Sequence, residues 1–271
     1  MFISDRLVFI ELHKTGCTHI RKVLSEVIEG VISGKHNQAT PDLFTEGRLF
    51  VGSIRNPWDW YVSLWGFGCD GNGGLRQRVA MPSSGIRGLK WRTAPASSLI
   101  RVLKRPKNER AWQSVYRNSD DPGAFRDWLH MMHDQAYIGD IGEGYSDCAL
   151  RHVAGLLTYR YLKLFSTRGG EEERLNDLST KPQIDEWDAA QTFVEAFIRM
   201  ESLEADMFRI LDDHAFDFTE EHQSRIRSLP KTNASSRQRK LSHYYDPDTV
   251  ALVAEREQLI INKFSYTPPD L

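Results

Sequence analysis

The sequence predicts an α/β domain in which a mostly parallel sheet carries helices on both faces. Three observations predict it: apolar, β-prone runs at Leu7 to Leu12, Leu49 to Ile54 and Phe193 to Met200 each lead through a short turn into a segment with the apolar spacing of a helix. Strand and helix alternating in this way indicate a parallel arrangement around one layered core. With 271 residues, 40% of them hydrophobic, the chain can bury a substantial core, and residues 1–271 read as one domain.

The first unit spans Phe9 to Leu24. After its strand, Lys14, Thr15, Gly16, Cys17 and Thr18 are small or hydroxylated apart from the lysine, so the backbone can fold close around a ligand. Ile20 to Leu24 then has the spacing of a helix's buried side. Free N–H groups at a helix start, the positive end of the helix dipole and one ammonium all favour a phosphate. The Walker A loop of nucleotide triphosphatases carries its lysine after the last glycine, whereas Lys14 precedes Gly16.

Between the first two units, His36 lies in the connection from Val31 to Leu43, where Pro41 opens a short helical turn. In the second unit Leu49 to Ile54 is a short buried strand, Asn56 an N-cap and Pro57 a first-turn proline. That strand ends in Arg55 where a Walker B motif would place a metal-binding Asp. Gly66 to Gly74 is glycine-rich enough for tight turns or a hinge. From Leu75 to Arg110 ten cations face a single acid, Glu109, which suits either a solvated surface insertion or a lid that attracts an anionic acceptor.

Ala124 to His133 and Ala149 to Phe165 have helical spacing, and the latter is apolar enough to be a central core helix. His130, His133 and His152 form no metal-binding pattern and read as solvated or core histidines. Glu171 to Asp188 is acidic and polar, a surface loop. A helix from about Ser202 to Leu211 follows the third strand, and one from Pro247 to Phe264 closes the domain. Between them Ser224 to Lys240 holds six cations and no acid.

Composition bounds the function. A formal net charge of −2 argues against a general nucleic-acid binder, which needs a broad excess of Lys and Arg. Cys17, Cys69 and Cys148, odd in number and widely spaced, suit reduced thiols and neither a disulfide scaffold nor a zinc site. Met1 to Arg6 carries Asp5 and Arg6 and no long apolar run, so the expectation is a soluble, cytoplasmic protein with no membrane span.

The Lys14-Thr15-Gly16-Cys17-Thr18 run after a first strand resembles the 5′-phosphosulfate loop of sulfotransferases that use 3′-phosphoadenosine 5′-phosphosulfate (PAPS). Arg55-Asn56-Pro57, with Ser63 eight residues after the arginine, is similar to the 3′-phosphate motif of the same family. The resemblance is specific at 13–20 and 55–63, looser at 199–211 and 231–266, and absent from about 70–145, the portion expected to set acceptor choice.

The resemblance implies a P-loop-like sulfotransferase fold and transfer of a sulfuryl group from PAPS to a hydroxyl, less readily an amine, of a carbohydrate or other polar metabolite. It implies that Lys14 is catalytic and, with Thr15, Gly16, Cys17, Thr18 and His19, holds the cofactor; His19 stands where relatives carry an adenine-stacking tryptophan. Arg55 and Ser63 would hold the 3′-phosphate, and Lys231, Asn233 and Ser235 would belong to a loop closing over it. His36 would be the general base, with His13 as its rival. No metal is required, since a sulfuryl group carries less charge than a phosphoryl group. Two other classes compete: a P-loop kinase or triphosphatase, and a non-catalytic nucleotide- or glycan-binding protein.

Overall fold

The structure is a computed structural model that describes residues 1–82, 107–214, 216, 219–228 and 239–271. Its centre is a five-stranded sheet of β1 (Phe2–Ile3), β2 (Leu7–Ile10), β3 (Val31–Ile32), β4 (Leu49–Ile54) and β5 (Ala196–Arg199), ordered β3-β1-β2-β4-β5. β2, β4 and β5 pair in parallel, with Phe9 opposite Val51 and Ser53 opposite Ile198. The two short strands at the other edge pair antiparallel.

The sheet is therefore mixed rather than mostly parallel. The reason lies in Ser4 to Arg6, a tight turn in which the Leu7 N–H donates to Ser4 Oγ at 2.9 Å and the Ser4 N–H donates to the Leu7 carbonyl at 2.8 Å. This turn folds Phe2–Ile3 back onto β2, and two residues are too few to show a strand period in sequence.

Alternation along the strands sends side chains to two cores. Leu7 and Phe9 of β2 and Leu49 and Val51 of β4 pack with α1 (Cys17–Val27) through Ile20, Val23 and Leu24. Val8, Ile10, Phe50 and Ile54 point the other way, into a larger core with α2 (Pro57–Cys69). Beyond α2 come α3 (Gly74–Ala80), α4 (Glu109–Ser114), α5 (Pro122–His133) and α6 (Leu156–Phe165). They are followed by α7 (Lys181–Gln191), α8 (Leu203–Asp213), α9 (Glu220–Ser228), α10 (Pro247–Arg256) and α11 (Gln258–Phe264). Helices α5 and α6 join the larger core and α8 the smaller one, so helices do cover both faces.

In α2, Asn56 caps as expected, accepting from the Trp58 N–H at 3.0 Å. Trp58, Trp60 and Trp65 are buried, and each indole N–H finds a carbonyl, on Val250, His13 and Val115. α2 runs on to Cys69, so the expected glycine turns reduce to Gly71 and Gly73, which have positive φ.

The polar stretch expected to be a surface loop instead contains α7. Its start is a capping box, Thr180 with Gln183, and it buries little besides Ile184 and Asp188, which is why composition concealed it. Asp188 accepts from Tyr161 Oη at 2.9 Å and from Lys263 Nζ at 2.7 Å.

The expected core helix begins seven residues late, at Leu156, and the closing helix breaks in two. One residue causes both. Glu257, fully buried between α10 and α11, turns its carboxylate onto the Leu157 and Thr158 N–H groups at the start of α6 (3.2 and 2.8 Å) and accepts from Tyr61 Oη at 2.5 Å. A Cβ on Gly155 would meet Glu257 Oε1 at 2.0 Å, so glycine is required there.

His133 of α5 is buried, and neither ring nitrogen has a hydrogen-bond partner among the described residues. Burial, with Arg256 and His130 nearby, holds its pKa down at about 3. An imidazole that titrates near 6.5 when unfolded must stay neutral in the fold, so its contribution is present above pH 6.5 and lost as pH falls through about 3. His133→Leu is therefore expected to gain on the wild type by up to ~1.4 kcal/mol per pH unit as the medium is acidified from pH 6.5. Urea denaturation at pH 7.5 and 5 measures this, and a pH-independent difference would mean that the ring reaches water. The comparison cancels Glu257, whose carboxyl burial pushes up to about 7 and whose contribution has the opposite sign.

Among the described residues no helix is long and apolar enough to cross a membrane.

Candidate functional site

Because β2, β4 and β5 are parallel neighbours, the segments after them meet along one edge of the sheet. His13 to Gly16, Arg55–Asn56 and Arg199 to Glu201 lie there, where open α/β sheets bind ligands. Lys14 (φ 63°) and Gly16 (φ 75°) both take the left-handed conformation, turning the chain sharply into α1. The positive φ is what favours glycine at 16: a Cβ there would meet Met200 Sδ at 2.5 Å, but that side chain is flexible and partly exposed and can move aside. Gly16 is the N-cap of α1 and makes no side-chain cap, and no acid stands in the first turn. The N–H groups of Cys17 and Thr18 thus start a helix that carries no acid in its own first turn, and the nearby Glu11 carboxylate already accepts from Met1 and Arg21.

The loop is braced from below and from the side. Thr15 is fully buried, and its hydroxyl contacts the Leu12 carbonyl (2.7 Å) and Ser53 Oγ of β4 (2.6 Å), so the side chain is structural and only its backbone can serve a ligand. Arg55 donates through Nη1 to the Lys14 carbonyl at 3.1 Å and pairs with Asp59 at 2.7 Å. The two stretches singled out in the sequence are thereby in direct contact.

Lys14 Nζ sits 3.9 Å above the Phe67 ring, and burial with the Arg55 charge nearby lowers its pKa to about 8. Ser63 is buried on α2, one turn after Asp59 and one before Phe67. Cys17 is buried, and its thiol is pushed up to about 11 by burial and by Glu11, which keeps it protonated. His19 is the third residue of α1, its N–H bonded to the Gly16 carbonyl at 2.9 Å.

The segment carrying His36 folds back over this loop, and Lys35 Nζ reaches Thr18 Oγ1 at 3.2 Å. His36 (φ 58°) stacks on His13, ring centroids 3.7 Å apart and planes 15° from parallel. His36 Nδ1 lies 2.9 Å from the Glu11 carbonyl, an acceptor only, so Nδ1 carries the proton and Nε2 keeps its lone pair. Burial lowers the His36 pKa to about 4 despite that bond, and His13 is driven far below the usual imidazole range by burial and then by Arg160. Both rings are neutral at pH 7. Of the two histidines, His36 has the defined tautomer, whereas His13 Nδ1 is buried without a hydrogen-bond partner among the described residues.

Behind the histidines, Arg160 of α6 is buried and grips Glu143 with two donors, at 2.8 and 2.7 Å, while Arg78 of α3 pairs with the same carboxylate. Glu11, in the run after β2, is fully buried and accepts from the Met1 ammonium at 2.7 Å and from Arg21 at 3.0 Å. Glu11, Cys17 and His36 bring potential metal-ligating atoms within 4.8 Å of one another. Two cations already on Glu11 and a thiol held protonated make the group a poor host for a third cation.

Sequence reasoning counted Arg78 only among the cations of the basic insertion and missed Lys35, Glu143, Arg160 and Glu11. Only Glu11 carried a local signal, a lone carboxylate inside an apolar run. Lys231, Asn233 and Ser235 lie outside the described residues, as does most of the basic insertion, 83–106. Neither a protein-family model, a curated protein nor a solved structure matches this chain.

Proposed function

We propose that the protein is a PAPS-dependent sulfotransferase. The observation that carries the reading is the contact of Arg55 Nη1 with the Lys14 carbonyl, which brings together, on adjacent parallel strands, the two stretches whose sequences resemble a 5′-phosphosulfate loop and a 3′-phosphate motif. In this reading the acceptor oxygen attacks sulfur, the bond from sulfur to the bridging phosphate oxygen breaks, and His36 Nε2 takes the acceptor proton. Lys14 and the N–H groups at the start of α1 stabilise charge on the leaving phosphate. Adenosine 3′,5′-bisphosphate and the sulfated acceptor leave.

A thermal-shift panel tests this. At a hundredfold excess over Kd a ligand stabilises by ~2.7 kcal/mol, so adenosine 3′,5′-bisphosphate without magnesium is expected to raise Tm by several degrees. A response to ATP with magnesium alone would point to a kinase or triphosphatase instead. Ser63→Ala is expected to weaken the bisphosphate several-fold and leave adenosine 5′-phosphosulfate, which lacks the 3′-phosphate, unchanged. Arg55→Ala is expected to weaken both, the bisphosphate by about tenfold or more, because the arginine also holds the Lys14 carbonyl. Equal losses in the two variants for the two ligands would reduce both residues to supports of the fold.

A further inference from the structure

A cavity of about 520 Å³ opens at His36, within the usual range of small-molecule sites. Gln38 fixes its shape: the amide donates to the Lys163 carbonyl at 3.2 Å and to Thr167 Oγ1 at 2.6 Å, tying the His36 segment to the end of α6. Ile3 and Leu43 supply an apolar patch, and Asn37, Asp42 and Lys163 supply exposed or half-buried polar groups. Neither Lys163 nor Asp42 has an ion-pair partner among the described residues, and their formal charges cancel.

Such a wall does not select an anion. It offers a cationic donor, an anionic acceptor and an amide that is both, beside a small apolar surface. A ring with several neighbouring hydroxyls matches this, since each hydroxyl donates and accepts while the C–H face of the ring is apolar. Phenols and alkanols would leave most of the wall's polar groups without partners, which costs affinity.

We infer that this cavity is the acceptor site and that the acceptor presents a neutral sugar ring there, with Asp42 accepting from one hydroxyl, Lys163 donating to another and a third facing His36. The inference rests on the sulfotransferase reading for its chemistry and on the cavity alone for its binding. Most of the basic insertion from which an anionic acceptor is expected, 83–106, lies outside the described residues, and the inference is drawn from the described walls alone.

Saturation-transfer NMR on the full chain tests binding directly, with methyl α-glucoside, methyl β-galactoside and lactose against 4-methylphenol and 1-hexanol, each at about 10 mM, where millimolar affinities are visible. The expected result is transfer to at least one glycoside and to neither comparison compound, with Asp42→Ala and Lys163→Met each lowering that affinity by about tenfold. With labelled PAPS the same variants are expected to raise the KM of that glycoside by a similar factor and to leave bisphosphate affinity unchanged. Absence of transfer to every glycoside, indifference to both substitutions, or preference for the phenol or alkanol would overturn the inference. Glycoside binding without bisphosphate binding would keep the sugar site and remove the sulfotransferase reading, and the converse result would do the opposite.

Discussion

His36→Ala is expected to lower turnover by about 10²–10⁴ with bisphosphate affinity intact, the loss usual for a removed general base. The Glu11 carbonyl fixes the tautomer, so the lone pair at Nε2 is available at every pH where the ring is neutral. Since the pKa is about 4, the acidic limb of the rate profile is expected near pH 4 rather than near the free imidazole value, and the profile should be flat from pH 6 to 7. The sign follows from the role: a base is lost on protonation, so activity falls as pH drops through its pKa. His13→Ala is the companion variant. It removes the stacked ring at 3.7 Å and is expected to cost far less, through loss of position alone. Unchanged turnover in the His36 variant would hand the role to His13 or to a carboxylate.

Lys14→Ala is expected to cut turnover by on the order of 10²–10³ while changing bisphosphate affinity only a few-fold, because in the proposed transfer the charge it answers grows on the leaving oxygen in the transition state. Lys14→Met keeps the stem over Phe67 and should behave alike if the ammonium is what matters. Burial and Arg55 set the Lys14 pKa at about 8, so in the unliganded protein the cation is present below that value and lost above it. The value of kcat/KM for PAPS is expected to decline as pH rises through about 8, a limb absent in both variants. Turnover that survives within a few-fold would remove Lys14 from the chemistry.

The parts of the fold that were legible share a physical character. β2 with α1 and β4 with α2 were readable because apolar periodicity, the Asn56 cap and the left-handed Gly16 act within a few residues of one another. β1 and β3 were not, being two residues each and defined by their neighbours. α7 was hidden by its polarity although its capping box stood in the sequence. The break at Glu257 had no local signal and the one at Gly155 only the glycine itself, because the carboxylate that caps α6 comes from 99 residues away.

The candidate site divides in the same way. The sequence alone determined the order of lysine before glycine, the turn into a helix start and the arginine at the end of the next strand. Each is a matter of backbone conformation and neighbouring side chains. Tertiary structure alone decided that Arg55 clamps the Lys14 carbonyl, that Thr15 turns its hydroxyl inward, that His36 lies on His13 and that α6 forms a wall of the cavity. It also decided the proton affinities, since the same imidazole that titrates near 6.5 in water is held at about 4 when packing removes its solvent. Burial and charge act through space, between residues that the chain itself keeps far apart.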